Sequence, residues 1–126
     1  MKKSLISGKA AKPVGPYSQA VSFGNMIYTS GQIAMDSSGN IASDSIEGQT
    51  EKVIENLKFI LEDNGSSLEN VIKTMVFLKD MNDFSAMNGV YAEYFGKSLP
   101  ARSTVEVSRL PKDVLVEIEV IAFINK

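Results

Sequence analysis

The stretch SLPARSTVEVSRLPKDVLVEIEV, Ser98 to Val120, holds the last two predicted strands and decides how the sheet is built. Polar and apolar residues alternate in both halves, as in strands with one buried face. If the two strands pair antiparallel through a turn at residues 110–113, the register that matches apolar residues puts Val105 opposite Val116. Thr104 then lies opposite Glu117. This register predicts one shared face for five polar side chains: Arg102, Thr104, Glu106, Glu117 and Glu119.

The rest of the chain alternates short apolar segments with turn signals. A hairpin is predicted at residues 20–30 around Gly24-Asn25, and the short apolar run at residues 71–78 predicts a further strand. A helix is expected at residues 45–63, opened by a capping box of Asp44 and Glu47. A second helix follows, with Asn82 or Asp83 as its cap, and residues 3–7 offer a further N-terminal strand. The order predicts an α+β fold, a mixed sheet with two helices on one face, as a single domain spanning residues 1–126.

The second face of the sheet is unusual for a solvent-facing surface. The segments MIYTSG and VIKTMVFL place large side chains on both faces of their strands. A sheet face of this kind is usually buried, and no predicted helix remains to cover it. The pattern therefore predicts a homo-oligomer in which another copy covers this face.

Composition excludes several kinds of chemistry. The chain has no His and no Cys, which excludes Ser-His-Asp triads, thiol nucleophiles and Cys/His zinc sites. The net charge is -2 without a basic run, so no nucleic-acid partner is expected. No apolar run reaches the roughly 18 residues needed to cross a bilayer, so we expect no membrane partner and a cytoplasmic protein.

Three features are candidates for a binding or catalytic site. Arg102 beside a carboxylate could bind an organic anion, although the same strands could carry ordinary cross-strand ion pairs. Asn88 falls within the apolar stripe of the second predicted helix, where it needs a hydrogen-bond partner, and backbone could supply one. Tyr17 follows the rigid pair Gly15-Pro16, and it could line a pocket or pack at the start of a strand.

Four blocks of sequence together resemble a known family. They are GPYSQAV, GNMIYTSGQIAM, VFLKDMNDFSAMNGVYAEYF and PARSTVEVSRLPKDVLVEIEVIA. In this order they are similar to the RidA family of reactive-intermediate (enamine/imine) deaminases, from about Pro13 to Ala122.

This resemblance implies a chorismate-mutase-like fold and a homotrimer with a central barrel and sites at the subunit interfaces. It implies hydrolysis of 2-iminobutanoate and 2-iminopropanoate, the products of pyridoxal-phosphate-dependent Ser/Thr dehydratases, to 2-oxo acids and ammonia. It implies no metal and no cofactor.

The resemblance also implies roles for individual residues. Arg102 would bind the substrate carboxylate and Glu117, rather than Glu119, would activate water. The remaining implied substrate-binding residues are Tyr17, Ser30, Gly31, Asn88 and Thr104, the last at a position often occupied by Cys in the family. Two alternatives remain: a regulatory trimer that binds small carboxylates without catalysis, and a ribonuclease or translation inhibitor.

Overall fold

The computed structural model describes residues 1–125 and contains a six-stranded mixed sheet with two α-helices. The sheet order is β1-β2-β3-β6-β4-β5, and all neighbouring strands are antiparallel except β4 and β5. The elements in chain order are β1 (Lys3–Leu5), β2 (Ala20–Phe23), β3 (Met26–Thr29), α1 (Ile46–Glu62), β4 (Val71–Leu78), α2 (Phe84–Phe95), β5 (Ala101–Glu106) and β6 (Val116–Phe123).

The hydrophobic core lies between the helices and one face of this sheet. In β6 every second residue is buried, starting at Val116, and the buried residues of β4 alternate in the same way from Thr74. Helix α1 contributes its apolar stripe and α2 contributes Met87 and Phe95. The α+β class, the order of elements and the placement of the helices are as the sequence predicts. None of the helices within residues 1–125 is both long enough and apolar enough to cross a membrane.

Local signals fix most element boundaries. Gly24 has a φ of 62°, as the predicted hairpin turn requires, and Gly65 has a φ of 85° just after α1. The cap of α1 is a correction: the side chain of Ser45, not that of Asp44, accepts a hydrogen bond from the backbone N–H of Gly48 at 3.0 Å. Serine is as good a helix cap as aspartate, and the helix begins one residue later than the capping-box spacing suggests.

The predicted pairing of the last two strands is wrong. β5 pairs parallel with β4, and β6 lies between β3 and β4, so β5 and β6 are not neighbours. Helix α2 connects β4 to β5, and a helical crossover is the connection that parallel neighbours require. The chain then returns through a 3₁₀ turn (Pro111–Asp113) to insert β6 in the centre of the sheet.

The correct register changes which side chains share a face. Phe77 of β4 is paired with both Val105 and Glu117, whereas Thr74 is paired with both Arg102 and Val120. Thr74 is buried against the helices. Arg102, Thr104 and Glu106 therefore lie on the helix-bearing face, and Glu117 and Glu119 lie on the opposite face.

That opposite face carries many apolar side chains, as predicted. Phe23 is 62% exposed and Tyr28 is 43% exposed. These residues lie on a surface that no element of the described chain covers. Its apolar members are Val21, Phe23, Met26, Tyr28, Met75, Phe77, Val105, Ile121 and Phe123.

Candidate active site

A cleft of about 390 Å³ brings together four of the residues singled out from the sequence. Tyr17, Ser30, Gly31 and Glu117 all line it, although they come from three separate segments of the chain. The other walls are mainly apolar and are formed by the N-terminal segment and the chain after β3. These lining residues are Ala11, Lys12, Pro13, Val14, Gln19, Gln32, Ile33, Met35 and Pro111.

A short backbone bridge places the end of β3 beside β6. The Gln32 N–H donates to the Ile118 carbonyl at 2.8 Å, and the Ile118 N–H donates back to Gln32 at 3.1 Å. Ser30 is tied on the other side, where its hydroxyl donates to the carbonyl of Ser18 at 2.6 Å. Gly31 is held between these two fixed points, directly beside the side chain of Glu117.

Gly31 is glycine because of space rather than backbone conformation, since its φ is not in the left-handed region. A Cβ atom at this position would lie 2.8 Å from Cδ of Glu117 and would overlap its Oε2 atom. The carboxylate therefore occupies the volume that any other residue would fill, and the absence of a side chain lets the backbone approach it closely.

The carboxylate of Glu117 is set up to hold a proton more readily than an ordinary glutamate. Burial raises its pKa above the usual value of 4.5, and repulsion from Glu119 raises it further. Within residues 1–125 no side chain donates a hydrogen bond or an ion pair to it. The group is a half-buried, unpaired carboxylate at the wall of a cleft, which is the environment expected of a general base.

The N-terminal wall depends on a buried glutamine that sequence reasoning did not assign. Gln19 is 2% exposed, and its Nε2 donates to the carbonyls of Ser7 and Ala11 at 3.1 and 2.8 Å. Its Oε1 accepts from the Ser7 N–H at 2.6 Å. These bonds fix the segment before Tyr17, whose side chain is 48% exposed at the rim of the cleft. A polar residue at the start of an apolar strand was the available signal.

The remaining predicted residues lie elsewhere. Arg102 and Asn88 line a second pocket of about 350 Å³, on the helix-bearing side at the edge strand β5. Nη1 of Arg102 donates to Oδ1 of Asn88 at 2.7 Å, which supplies the partner that an Asn in the α2 stripe requires. The other walls of this pocket are Tyr91, Ala92, Phe95, Gly96, Leu99 and Pro100.

Arg102 has no acidic partner among the described residues. Its guanidinium is half-buried and contacts a neutral amide and two aromatic rings. Arginine stays protonated at any physiological pH, so this cation is solvated by neutral groups and keeps its charge available for an anion. Its Nε and Nη2 atoms make no hydrogen bond within residues 1–125 and could hold both oxygens of a carboxylate.

Thr104 lines neither pocket. It is half-buried on the helix-bearing face, and its hydroxyl is buried without a hydrogen-bond partner in the described chain. Glu119 is exposed on the other face, and Glu106 accepts from the backbone N–H of Met81 at 2.8 Å. Residues 1–125 contain no group of three or more acidic side chains that could hold a metal ion.

The candidate residues thus form two separate groups within one chain. Arg102 and Glu117 lie on opposite faces of the sheet and on strands separated by β4. Two strand spacings amount to roughly 10 Å, and the sheet itself lies between the two side chains. A ligand of six or seven heavy atoms cannot contact both groups in the same chain, because it would have to reach through the sheet.

Comparisons with known proteins agree on one family. A family profile described as Endoribonuclease L-PSP matches residues 7–124. A RutC family protein from Pyrococcus abyssi is 57% identical, with 97% of each chain covered. The 2-iminobutanoate/2-iminopropanoate deaminase of Salmonella typhimurium is 42% identical over 97% of this chain and 98% of its own. The crystal structure of Escherichia coli TdcF with bound serine is 40% identical, covers 98% of this chain and 99% of its own, and has a TM-score of 0.91.

The chain belongs to this Endoribonuclease L-PSP family, the group that includes the RidA, TdcF and RutC proteins. The family includes imine deaminases and proteins that bind small ligands. The expectation drawn from the four sequence blocks is confirmed at the level of the family.

Proposed function

We propose that the protein is a cofactor-independent deaminase that hydrolyses 2-iminobutanoate and 2-iminopropanoate to 2-oxo acids and ammonia. The observation that carries the proposal is the pair of unneutralised groups: a half-buried Arg102 without an acidic partner and a half-buried Glu117 without a basic one. An anion binder and a general base are the two groups that this hydrolysis needs. The Salmonella deaminase, 42% identical over almost the whole chain, supports the same reaction.

The complete site is proposed to form between two copies of the chain, as in a homotrimer with a central barrel. The uncovered apolar sheet face supports association, because a surface of this kind is seldom left in water. Glu117 lies on that face and lines the cleft, whereas Arg102 lies on β5, an edge strand with one unpaired side. If β5 of one copy lies against the cleft of the next, Arg102 and Glu117 from different subunits reach the same ligand.

In the proposed reaction Arg102 binds the substrate carboxylate through two charged hydrogen bonds, worth roughly 1.5–3 kcal/mol each. Glu117 takes a proton from a water molecule as the water oxygen forms a bond to C2. The electron pair of the C=N bond moves to nitrogen, which receives that proton. Glu117 then takes the hydroxyl proton of the resulting carbinolamine and passes it to the amino nitrogen. The C–N bond breaks, ammonia leaves, and the C=O bond of the 2-oxo acid forms.

The other residues have supporting roles in this proposal. Tyr17 covers the ligand at the rim, and Ser30 and Gly31 contact it from the end of β3. Asn88 holds Arg102. Thr104 lies next to Arg102 on the same strand face, and its role is limited to the packing around the arginine or to contacts through its backbone. Because an imine carbon is already electrophilic, orientation of substrate and water supplies most of the rate.

A coupled assay tests this proposal. Threonine dehydratase acting on threonine releases the imine, and the rate of 2-oxobutanoate appearance is followed with and without this protein. We expect the protein to shorten the lag before 2-oxobutanoate appears, in proportion to its concentration. An unchanged lag at all protein concentrations would contradict the deaminase function.

The same preparation separates the two alternatives. If the lag is unchanged but 2-oxobutanoate binds with an affinity that depends on Arg102, the protein is a carboxylate-binding regulator. The family description as an endoribonuclease suggests RNA cleavage as the other alternative. A chain with a net charge of -2 and no His does not favour RNA cleavage, and salt-dependent RNA binding would be its signature.

A further inference from the structure

We propose that Tyr91 is a positioning residue for Arg102, and that its ring holds the guanidinium so that two N–H groups face an incoming carboxylate. The proposal rests on the function given above, because it concerns how the anion-binding side of that site is organised. Tyr91 belongs to the apolar stripe of α2, and by its sequence it would be read as a core residue.

The contacts around the guanidinium are all made by neutral groups. Cζ of Arg102 lies 4.7 Å from the centroid of the Tyr91 ring and 5.5 Å from that of Phe84. Both distances are within the range of a cation–π interaction. Nη1 also donates to the side chain of Asn88 at 2.7 Å. Two rings and one amide therefore restrict the movement of the guanidinium, and none of them neutralises its charge.

Tyr91 is itself held firmly enough to act as a support. The side chain is 9% exposed, and its ring centroid lies 4.7 Å from that of Phe95 at an angle of 40°. Its hydroxyl shares a buried hydrogen bond of 2.8 Å with Oγ1 of Thr74. Thr74 is the residue of β4 paired with Arg102, so this bond ties α2 to the sheet directly beside the arginine.

The hydroxyl of Tyr91 has to remain protonated if the groups around Arg102 are to stay neutral. Burial raises its pKa, while the bond to Thr74, the charge of Arg102 and a weak polar contact of the hydroxyl with Arg102 act in the opposite direction. The phenol therefore stays neutral near pH 7 and remains hydrogen-bonded to Thr74. The ring face is left to interact with the cation.

The inference predicts different effects for two substitutions at one position. Tyr91→Leu removes the ring, whereas Tyr91→Phe keeps the ring and removes only the hydroxyl. We expect Tyr91→Leu to weaken binding of 2-oxobutanoate about 5- to 30-fold, the range of a partly desolvated cation–π contact, and Tyr91→Phe to weaken it about 3-fold or less. Binding is measured by calorimetry.

Phe59→Leu is the matched control for loss of an aromatic ring. Phe59 is half-buried on α1, and the centroid of its ring lies 5.8 Å from Nζ of Lys9 and of Lys52. It lines neither pocket. The Phe59→Leu substitution should leave the affinity for 2-oxobutanoate unchanged. In an Arg102→Ala background, Tyr91→Leu should cause no further loss, because the effect acts through the arginine. A loss no larger than that of Phe59→Leu, or an equal loss in the Arg102→Ala background, would overturn the proposal.

A ligand-free measurement keeps the result separate from the deaminase proposal. The ¹⁵N signal of the Arg102 Nε–H group, assigned by its disappearance in Arg102→Lys, reports the order of the guanidinium on the ps–ns timescale. We expect high order in the wild type and in Tyr91→Phe, and low order in Tyr91→Leu. If the wild type binds no 2-oxo acid, the proposed function fails while this signal still tests Tyr91. If the order is unchanged in Tyr91→Leu, the positioning role fails even where 2-oxo acid binding stands.

Discussion

Replacing Gly31 by alanine should impair catalysis while leaving the fold intact. The new Cβ would lie 2.8 Å from Cδ of Glu117, and an ordinary contact is about 3.4 Å or more. The carboxylate carbon must therefore move by about 0.6 Å, and Oε2 must move further. Because the obstacle is the end of a flexible side chain, it can rotate away at small cost to stability. A misplacement of about 1 Å can lower a rate about 100-fold, so we expect turnover to fall by about 10- to 100-fold.

The dehydratase-coupled assay measures this loss, and Gly8→Ala is the matched control. Gly8 has no atom within 4 Å of the position its Cβ would occupy, so the control should keep full activity. Thermal unfolding of both variants should remain close to that of the wild type. A Gly31→Ala variant with wild-type turnover would show that the carboxylate need not occupy its present position. The reasoning about Gly31 and Glu117 would then be wrong.

Two further predictions concern the charged groups. Glu117→Gln should lower turnover by about 100-fold or more while 2-oxobutanoate still binds. Glu119 is exposed and lies outside the cleft, so Glu119→Gln should lower turnover much less. If Glu119→Gln lowered turnover more than Glu117→Gln in the coupled assay, Glu117 would not be the general base. Folding raises the pKa of Glu117. The stabilisation that the protonated side chain gives to the folded state is therefore fully present below pH 4.5, and it is lost as the pH rises through the raised pKa. Urea unfolding should therefore show Glu117→Gln to be more stable than the wild type near pH 7, with the difference shrinking towards pH 4, and a constant difference would contradict the raised pKa.

Local structure could be predicted well from this sequence because its determinants are close together in the chain. The β-branched and aromatic run at residues 71–78 marks β4 to the residue, and Gly24 marks the hairpin turn. The order in which strands pair in the sheet could not be predicted in the same way, because it depends on contacts between segments that are distant in the chain. Nothing in the alternation of β5 or β6 alone shows that β4 separates them.

The pairing of β5 also decides which side chains of the candidate site share a face. Antiparallel pairing of the last two strands predicts that Arg102 and Glu117 share one face of the sheet. The crossover through α2 makes β5 parallel to β4 and puts Arg102 on the helix-bearing face instead. The clue was available, because a helix between two adjacent strands favours parallel pairing. The role of Tyr91 could not be predicted in this way, because an aromatic residue in an apolar stripe looks the same whether it fills a core or supports a cation.

The most direct test of the account mixes two inactive variants, Arg102→Ala and Glu117→Gln. If each site takes Arg102 from one subunit and Glu117 from the next, some sites in mixed trimers contain both native residues. Random mixing of equal amounts around a closed ring restores about a quarter of the sites. We therefore predict that co-refolded variants recover about a quarter of wild-type turnover in the coupled assay, while each variant refolded alone stays inactive. A co-refolded mixture with no more activity than the separate variants would contradict a site shared between subunits.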